Sequence, residues 1–285
     1  MEGLVFDIHE GFNEIHNFTV YSDLHDDARE CAHDVLKKHM DERAALPNAH
    51  FFTIGDVSNF IMPGPDKRHT PSTPIDALAA SDEYIDEQVK RQCGMYAQYP
   101  WVALGLGNHC TSVINKHHTN PIRRLIAELN DHPDRKGMVP VQYAGYSGFA
   151  RFRFHSGTGA GAKCTFNMIY HHGAWGGQII KGKGGAFRWA DRHAAGQIWN
   201  VMVYGHNHAC HADMVPNVGM TDRQKVFHVD QFVVNTGTFL RGETQGGSPA
   251  YSEIRGYPPV PLHAPLIRVR PTIDGPRVAI QLGDC

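Results

Sequence analysis

Apolar residues gather in short runs along the first half of the chain, and each run is followed by helical spacing. Asn17 to Ser22 (NFTVYS) is β-rich and leads directly into Asp23. Ala28, Cys31, Ala32, Val35, Leu36 and Met40 then recur on one helical face. His50 to Ile54 (HFFTI) is a second strand and ends at Gly55-Asp56. A Pro/Gly-rich loop from Met62 to Pro74 follows, and Ile75, Leu78, Ile85 and Val89 resume the helical period. Trp101 to Leu106 is a third strand, ending at Gly107-Asn108-His109. Asn120-Pro121 reads as a helix cap with proline at the first helical position, leading into Ile122, Leu125, Ile126 and Leu129.

The second half changes character. Val139 to Tyr146, Phe149 to His155 and Cys164 to Tyr170 read as consecutive strands. A glycine-rich loop spans Gly173 to Gly185, and a short helix is expected around Phe187 to Ala195. Asn200 to Tyr204 is a strand ending at Gly205-His206, and Val226 to Asn235, Leu266 to Val269 and Arg277 to Leu282 close the pattern. Strand–helix alternation predicts a parallel, helix-covered sheet, and the later strands predict a second sheet. With no repeat and no clear linker, residues 1–285 read as one α/β domain built on two sheets, with a proline-rich strap near Tyr251 to Pro261.

Composition adds one anomaly. The chain has 20 His in 285 residues and 41% hydrophobic residues. Imidazole is the commonest protein metal ligand and titrates near neutrality, so the excess directs attention to a metal site. The six cysteines form no C-x-x-C pair, which excludes a zinc ribbon and a thioredoxin motif and fits reduced, cytosolic usage. The start, MEGLVFDIHEGFNEIH, carries acids and no long apolar run, and no stretch reaches membrane-spanning length. A cytoplasmic protein with no membrane partner is the expectation. The net charge of −2 gives no support to a nucleic-acid partner.

Five segments share one design, in which a strand end delivers a polar donor into a loop. They are Asp23-Leu24-His25, Gly55-Asp56, Gly107-Asn108-His109, His171-His172-Gly173 and Gly205-His206-Asn207-His208. In open α/β sheets, sites lie outside the carboxyl ends of the strands. The donors are nitrogen and oxygen with no sulfur, a set that suits Mn²⁺, Fe or Zn²⁺ better than Ca²⁺. They are too many for one tetrahedral ion and enough for two, the arrangement used to hydrolyse phosphate esters.

The order D-x-H, G-D, G-N-H, H, G-H-x-H, over roughly Thr19 to Ala209, resembles the calcineurin-like metallophosphoesterases. That resemblance implies a four-layer α/β/β/α sandwich of two mixed sheets, with residues 210–285 as closing strands and strap. It also implies a phosphoric ester hydrolase in which a hydroxide held by two divalent ions attacks a phosphate ester, most readily a phosphodiester. By motif position, Asp23, His25 and His208 would hold one ion. Asn108, His206 and one of His171 and His172 would hold the other, with slight preference for His171. Asp56 would bridge them, and His109 would protonate the leaving oxygen. The family usually has an acid after G-N-H; here Cys110 follows His109. Alternatives within the fold are a phosphomonoesterase or protein phosphatase, or a non-catalytic metal-binding scaffold. The glycine-rich loop resembles that of phage and bacterial members, and its Lys181, Lys183 and Arg188 are candidates to grip substrate phosphate. His33 and His39, on the first helix, read as solvated. Asn235 to Thr238 reads as structural support.

Overall fold

Phe51 and Phe52 are adjacent in β3 (Ala49–Thr53), and both are fully buried, one on each face of a sheet. Phe51 packs with helices and Phe52 with a second sheet. The same division runs through β2 (His16–Tyr21), where Tyr21 faces the helices and Val20 the second sheet. In β4 (Trp101–Gly105), Leu104 and Ala103 divide likewise. A strand covered on both faces buries side chains at both parities, so these three lack the apolar–polar alternation of a half-exposed strand.

The computed structural model describes residues 1–62, 74–79, 81–157, 161–173, 194, 199–220, 224, 226–243, 251–254, 256 and 258–283. Three further strands complete the first sheet: β5 (Gln142–Gly145), β11 (Leu266–Thr272) and β12 (Gly275–Gln281). Its order is β12-β11-β2-β3-β4-β5, parallel from β2 to β5 and antiparallel at β11 and β12. The second sheet contains β1 (Glu2–Ile8), β6 (Ser147–Phe154), β7 (Cys164–His171), β8 (Val201–Tyr204), β9 (Cys210–Met220) and β10 (Val226–Thr236). Its order is β1-β6-β7-β8-β10-β9. β8 runs parallel to both β7 and β10, whereas β6–β7 and β9–β10 are antiparallel. Both sheets are mixed, and the fold is α/β.

Four helices cover the outer face of the first sheet: α1 (His33–Ala44), α2 (Tyr84–Tyr96), α3 (Asn108–His117) and α4 (Pro121–Asp131). Leu36, Met40, Val89, Tyr96, Leu125 and Leu129 meet Tyr21, Phe51 and Trp101 there. The expected cap of α4 is present, with the Asn120 side chain accepting from the N–H groups of Ile122 and Arg123 at 3.1 Å. On the outer face of the second sheet, Ile169, Met202, Tyr204 and Val233 pack with Trp199 and Ala194. The helix expected at 187–195 lies outside the described residues except for Ala194, which is helical and buried. No described helix is long and apolar enough to cross a membrane.

The structure departs from the sequence expectations in several places. The first helix starts at His33, not at Ala28, because Ala28 bridges to Pro74 and Cys31 to Leu240. Those bridges tie two distant segments to the stretch between β2 and the helix. Strands β1 and β9 were not expected. Each is a sheet edge with a mainly exposed face, so its apolar pattern is thin. Helix α3 was also unexpected, since only Cys110 and Val113 are buried on it.

His39 corrects the reading of a solvated helix face. It is buried, its Nδ1 lies 3.2 Å from the Tyr21 hydroxyl, and its ring edge meets Phe239 and His263. Burial, aided by Arg43 and His263, pushes its pKa down to about 3. In the unfolded chain a His titrates near 6.5. Between those values the unfolded state binds the extra proton, so stability rises with pH across that window and falls as pH drops from about 6.5 toward 3. Melting temperatures of wild type and His39→Gln across pH 4 to 7 should show this as a difference curve. The wild type should lose stability more steeply on acidification, by up to about 1.4 kcal/mol per pH unit. Parallel curves would show that His39 is not held neutral.

Candidate metal centre

Parallel β2, β3 and β4 finish on the same side of their sheet, and hydrogen bonds continue past their ends. The Asp23 N–H donates to the Gly55 carbonyl and the His25 N–H to the Asp56 carbonyl, both at 3.1 Å. In the second sheet, the Gly205 N–H donates to the His172 carbonyl at 3.1 Å. The two turns that follow β2 and β3 are thereby locked together, as are those that follow β7 and β8.

The turns are strained. Asp23, His25, Asp56, His206 and His208 all lie in the left-handed region, with φ of 52°, 48°, 48°, 71° and 59°. Non-glycine residues rarely adopt it and do so only when the surroundings enforce it. Gly107 shows how little room remains. A Cβ there would strike the Asp56 carboxylate and lie 2.6 Å from the Asp56 backbone nitrogen.

Asp23 and Asp56 are both essentially without solvent contact. Asp23 Oδ2 accepts from the Ser22 hydroxyl at 2.5 Å and from the His206 N–H at 2.8 Å. Its Oδ1 lies 3.5 Å from His208 Nε2 and 3.9 Å from His25 Nε2. Asp56 Oδ1 accepts from the His109 N–H at 3.0 Å, in the first turn of α3, where the helix dipole favours an anion. Asp56 Oδ2 is 3.0 Å from His172 Nε2, which is also 3.1 Å from Asn108 Oδ1. His109 Nδ1 is 2.5 Å from the Asn59 carbonyl. A carbonyl can only accept, so the proton of neutral His109 sits on Nδ1.

Burial alone would raise both carboxylates, but the surrounding imidazoles reverse this. His208, His172 and His25 hold Asp23 below its ordinary value, and His172, His109 and His25 do the same for Asp56. Burial also pushes His25 down to about 3, with the His109 charge adding to the effect. Anionic carboxylates and a neutral His25 are forms that ligate metal, whereas Asp56 raises His172, which must release a proton before it can ligate.

Three groups of donor atoms, each within 4.8 Å of one another, could hold metal ions. They are Asp23, Asp56, His172 and His206; Asp23, His25 and His208; and His25, Asp56 and His109. Asp23 Oδ1 and both ring nitrogens of His25 are buried and have no hydrogen-bond partner among the described residues. Buried polar atoms normally have one. A metal ion would satisfy these atoms, and the donor set fits one.

Of the residues expected at the site, Asp23, His25, Asp56, Asn108, His109, His172, His206 and His208 come together. His171 does not, and the preference for it is corrected. Its Nδ1 instead accepts from the Gly173 N–H at 2.8 Å, and its ring stands against Tyr146. The reason is parity. Phe166, Met168 and Tyr170 of β7 face the first sheet, so His172 shares their side and His171 takes the other. Lys181, Lys183 and Arg188 lie outside the described residues. The expected support at Asn235 to Thr238 is present and specific. Asn235 Nδ2 donates to Asn207 Oδ1 at 2.5 Å, inside the G-H-x-H turn, and the Thr238 hydroxyl donates to the Asp23 carbonyl at 2.7 Å. Ser22 and Asn59 were not expected, and no motif spacing marks them.

No protein-family model matches the chain, and no curated protein does. Among solved structures, it is similar to a conserved uncharacterised protein of Streptococcus pneumoniae TIGR4, described as a predicted phosphoesterase. The identity is 12%, the match covers 90% of this chain and 82% of that one, and the TM-score is 0.29. It is also similar to a single mutant of Vps29 from Entamoeba histolytica, at 10% identity over 93% of this chain and 98% of that one, with a TM-score of 0.35. The functional argument therefore rests on the site's own geometry.

Gly107→Ala should test whether the packing around Asp56 sets the site. Overpacking of this kind costs about 1–3 kcal/mol. In wild type, Mn²⁺ at a hundred times its Kd should raise Tm by the equivalent of about 2.7 kcal/mol. In the variant the metal-free Tm should fall and the Mn²⁺-induced rise should disappear. A full Mn²⁺ response in Gly107→Ala would show that this contact does not shape the site.

Proposed function

We propose that this chain is a phosphoesterase dependent on two divalent metal ions, acting on phosphodiesters, with His109 as general acid. The observation that supports the reading is overlap. Asp56 belongs to two of the three donor groups, one with His172 and His206 and one with His25, as a carboxylate shared between neighbouring ions would. Asp23, His25 and His208 would hold one ion, Asn108, His172 and His206 the other, and Asp56 would serve both. Mn²⁺, Fe or Zn²⁺ suits these donors. Bound ions would supply Lewis acidity and an activated water.

The chain's own residues account for the rest. Asn59 fixes one proton of His109 on Nδ1, so Nε2 is the atom left to take up a second proton and donate it to a departing alkoxide. The His109 ring stands edge-on to His25, with centroids 5.0 Å apart, which keeps it beside the donor cluster. The Ser22 hydroxyl and the His206 N–H hold Asp23 Oδ2, leaving Oδ1 for coordination.

Hydrolysis of bis-(p-nitrophenyl) phosphate and of p-nitrophenyl phosphate with added Mn²⁺ tests the proposal. Wild type should cleave the diester in preference. Asp56→Asn should lose bound metal and turnover together. His109→Ala should keep the metal and lose about 10²–10⁴-fold in kcat. Preference for the monoester would make the chain a phosphomonoesterase. Bound metal without hydrolysis of either ester would make it a scaffold.

A further inference from the structure

Behind the donor cluster a buried carboxylate reaches His109 through one peptide group. Asp27 is fully buried, two residues beyond His25. Its Oδ1 accepts from the Asn59 N–H at 2.5 Å, and its Oδ2 accepts from the Phe60 N–H at 2.8 Å and the Tyr84 hydroxyl at 2.9 Å. The Phe60 N–H and the Asn59 carbonyl belong to the same planar amide. That carbonyl is the acceptor for His109 Nδ1. The line therefore runs from carboxylate to amide N–H, across the amide, and from its oxygen to the imidazole.

Two further observations fit a held relay. Phe60 is a buried aromatic residue at φ 45°, a conformation that bulky side chains rarely adopt. Both N–H groups flanking Asn59 are pinned by Asp27, which is what keeps the Asn59–Phe60 turn in that shape. Cys110, the residue after His109, is fully buried against the helices and offers no carboxylate.

We propose that Asp27 is a positioning residue for His109, acting through the Asn59–Phe60 peptide. A carboxylate accepting the amide N–H draws electron density toward the amide oxygen, which becomes a stronger acceptor for Nδ1–H. The imidazole is then held in one tautomer and one orientation, with Nε2 turned toward the site. The geometry stands on its own, and only its consequence for turnover rests on the function proposed above.

The test uses the full chain, labelled with ¹⁵N-histidine and free of metal, with long-range ¹H–¹⁵N correlation spectra at fixed pH. In wild type, His109 should show a single Nδ1–H tautomer with a downfield proton. Asp27→Asn removes the charge at constant size and should move that proton upfield and admit the second tautomer. Tyr84→Phe removes the competing donor on Oδ2, leaving more of its charge on the Phe60 N–H, and should move the proton further downfield. Opposite signs are the signature of the relay, because general loosening of the loop would move both variants upfield. With Mn²⁺ and the diester, Asp27→Asn should lose about tenfold in kcat, with KM and bound metal unchanged. Unchanged His109 signals in Asp27→Asn, or shifts of the same sign in both variants, would overturn the proposal. If Asp27→Asn does not fold, Tyr84→Phe decides alone: a downfield shift supports the relay, and no shift or an upfield one overturns it. If wild type hydrolyses no diester, the spectra still decide the relay, and only the catalytic reading falls.

Discussion

Two carboxylates placed at strand ends, out of reach of water, set the terms for everything around them. An uncompensated buried charge is among the most unfavourable features a fold can carry. Asp23 and Asp56 therefore need hydrogen bonds and opposite charge supplied by the chain. The Ser22 hydroxyl and the backbone N–H groups of His206 and His109 supply the hydrogen bonds, and His172, raised by Asp56 beside it, supplies positive charge. The compensation is uneven. One face of each carboxylate is tied to backbone or hydroxyl donors, and the other meets only imidazoles that can themselves ligate. A core built for stability alone would not leave Asp23 Oδ1 and both His25 nitrogens without partners.

The backbone follows from the same requirement. A carboxylate can accept from N–H groups after a neighbouring strand or after a strand of the other sheet only if those strands stop together and turn sharply. Left-handed residues and close-fitting glycines make those turns. Gly205 lies so close to Ser22 and Asp23, and Gly107 so close to Asp56, that a side chain at either position would strike them. The strain at five candidate ligand positions persists because paired turns and distant supports, such as Thr238 on the Asp23 carbonyl, leave no relaxed alternative. The candidate donors and the strain are located together because both come from chain reversals beside buried charge.

How much of this was legible in the sequence depended on the kind of interaction. Strands buried on both faces announced themselves as apolar runs, so β2, β3, β4 and β8 were read correctly. Polar donors just beyond those runs marked the site, because glycine and a ligand type recur there together. Edge strands β1 and β9 were missed since half of each faces solvent. The choice between His171 and His172 was readable from the parity of Phe166, Met168 and Tyr170, had the run been continued one residue past Tyr170. His39 was misread because helical spacing shows which residues share a face but not that a polar one is buried there. Ser22, Asn59 and Asp27 left no signal, since their roles depend on backbone groups that only the fold brings near.

That last group shows where control of reactivity lies in such a site. Ligand identity is set by side chains, and side chains are visible in sequence. Orientation of His109 is set by a carbonyl, and any residue supplies a carbonyl. The specific information has moved to whatever holds that carbonyl in place, here a carboxylate whose own position follows from lying two residues beyond the candidate ligand His25 on the same turn. A fold that fixes the turn after β2, and with it the candidate ligands Asp23 and His25, thus fixes Asp27 as well. The acid function proposed for His109 and the ligand function proposed for His25 then depend on a single stretch of backbone.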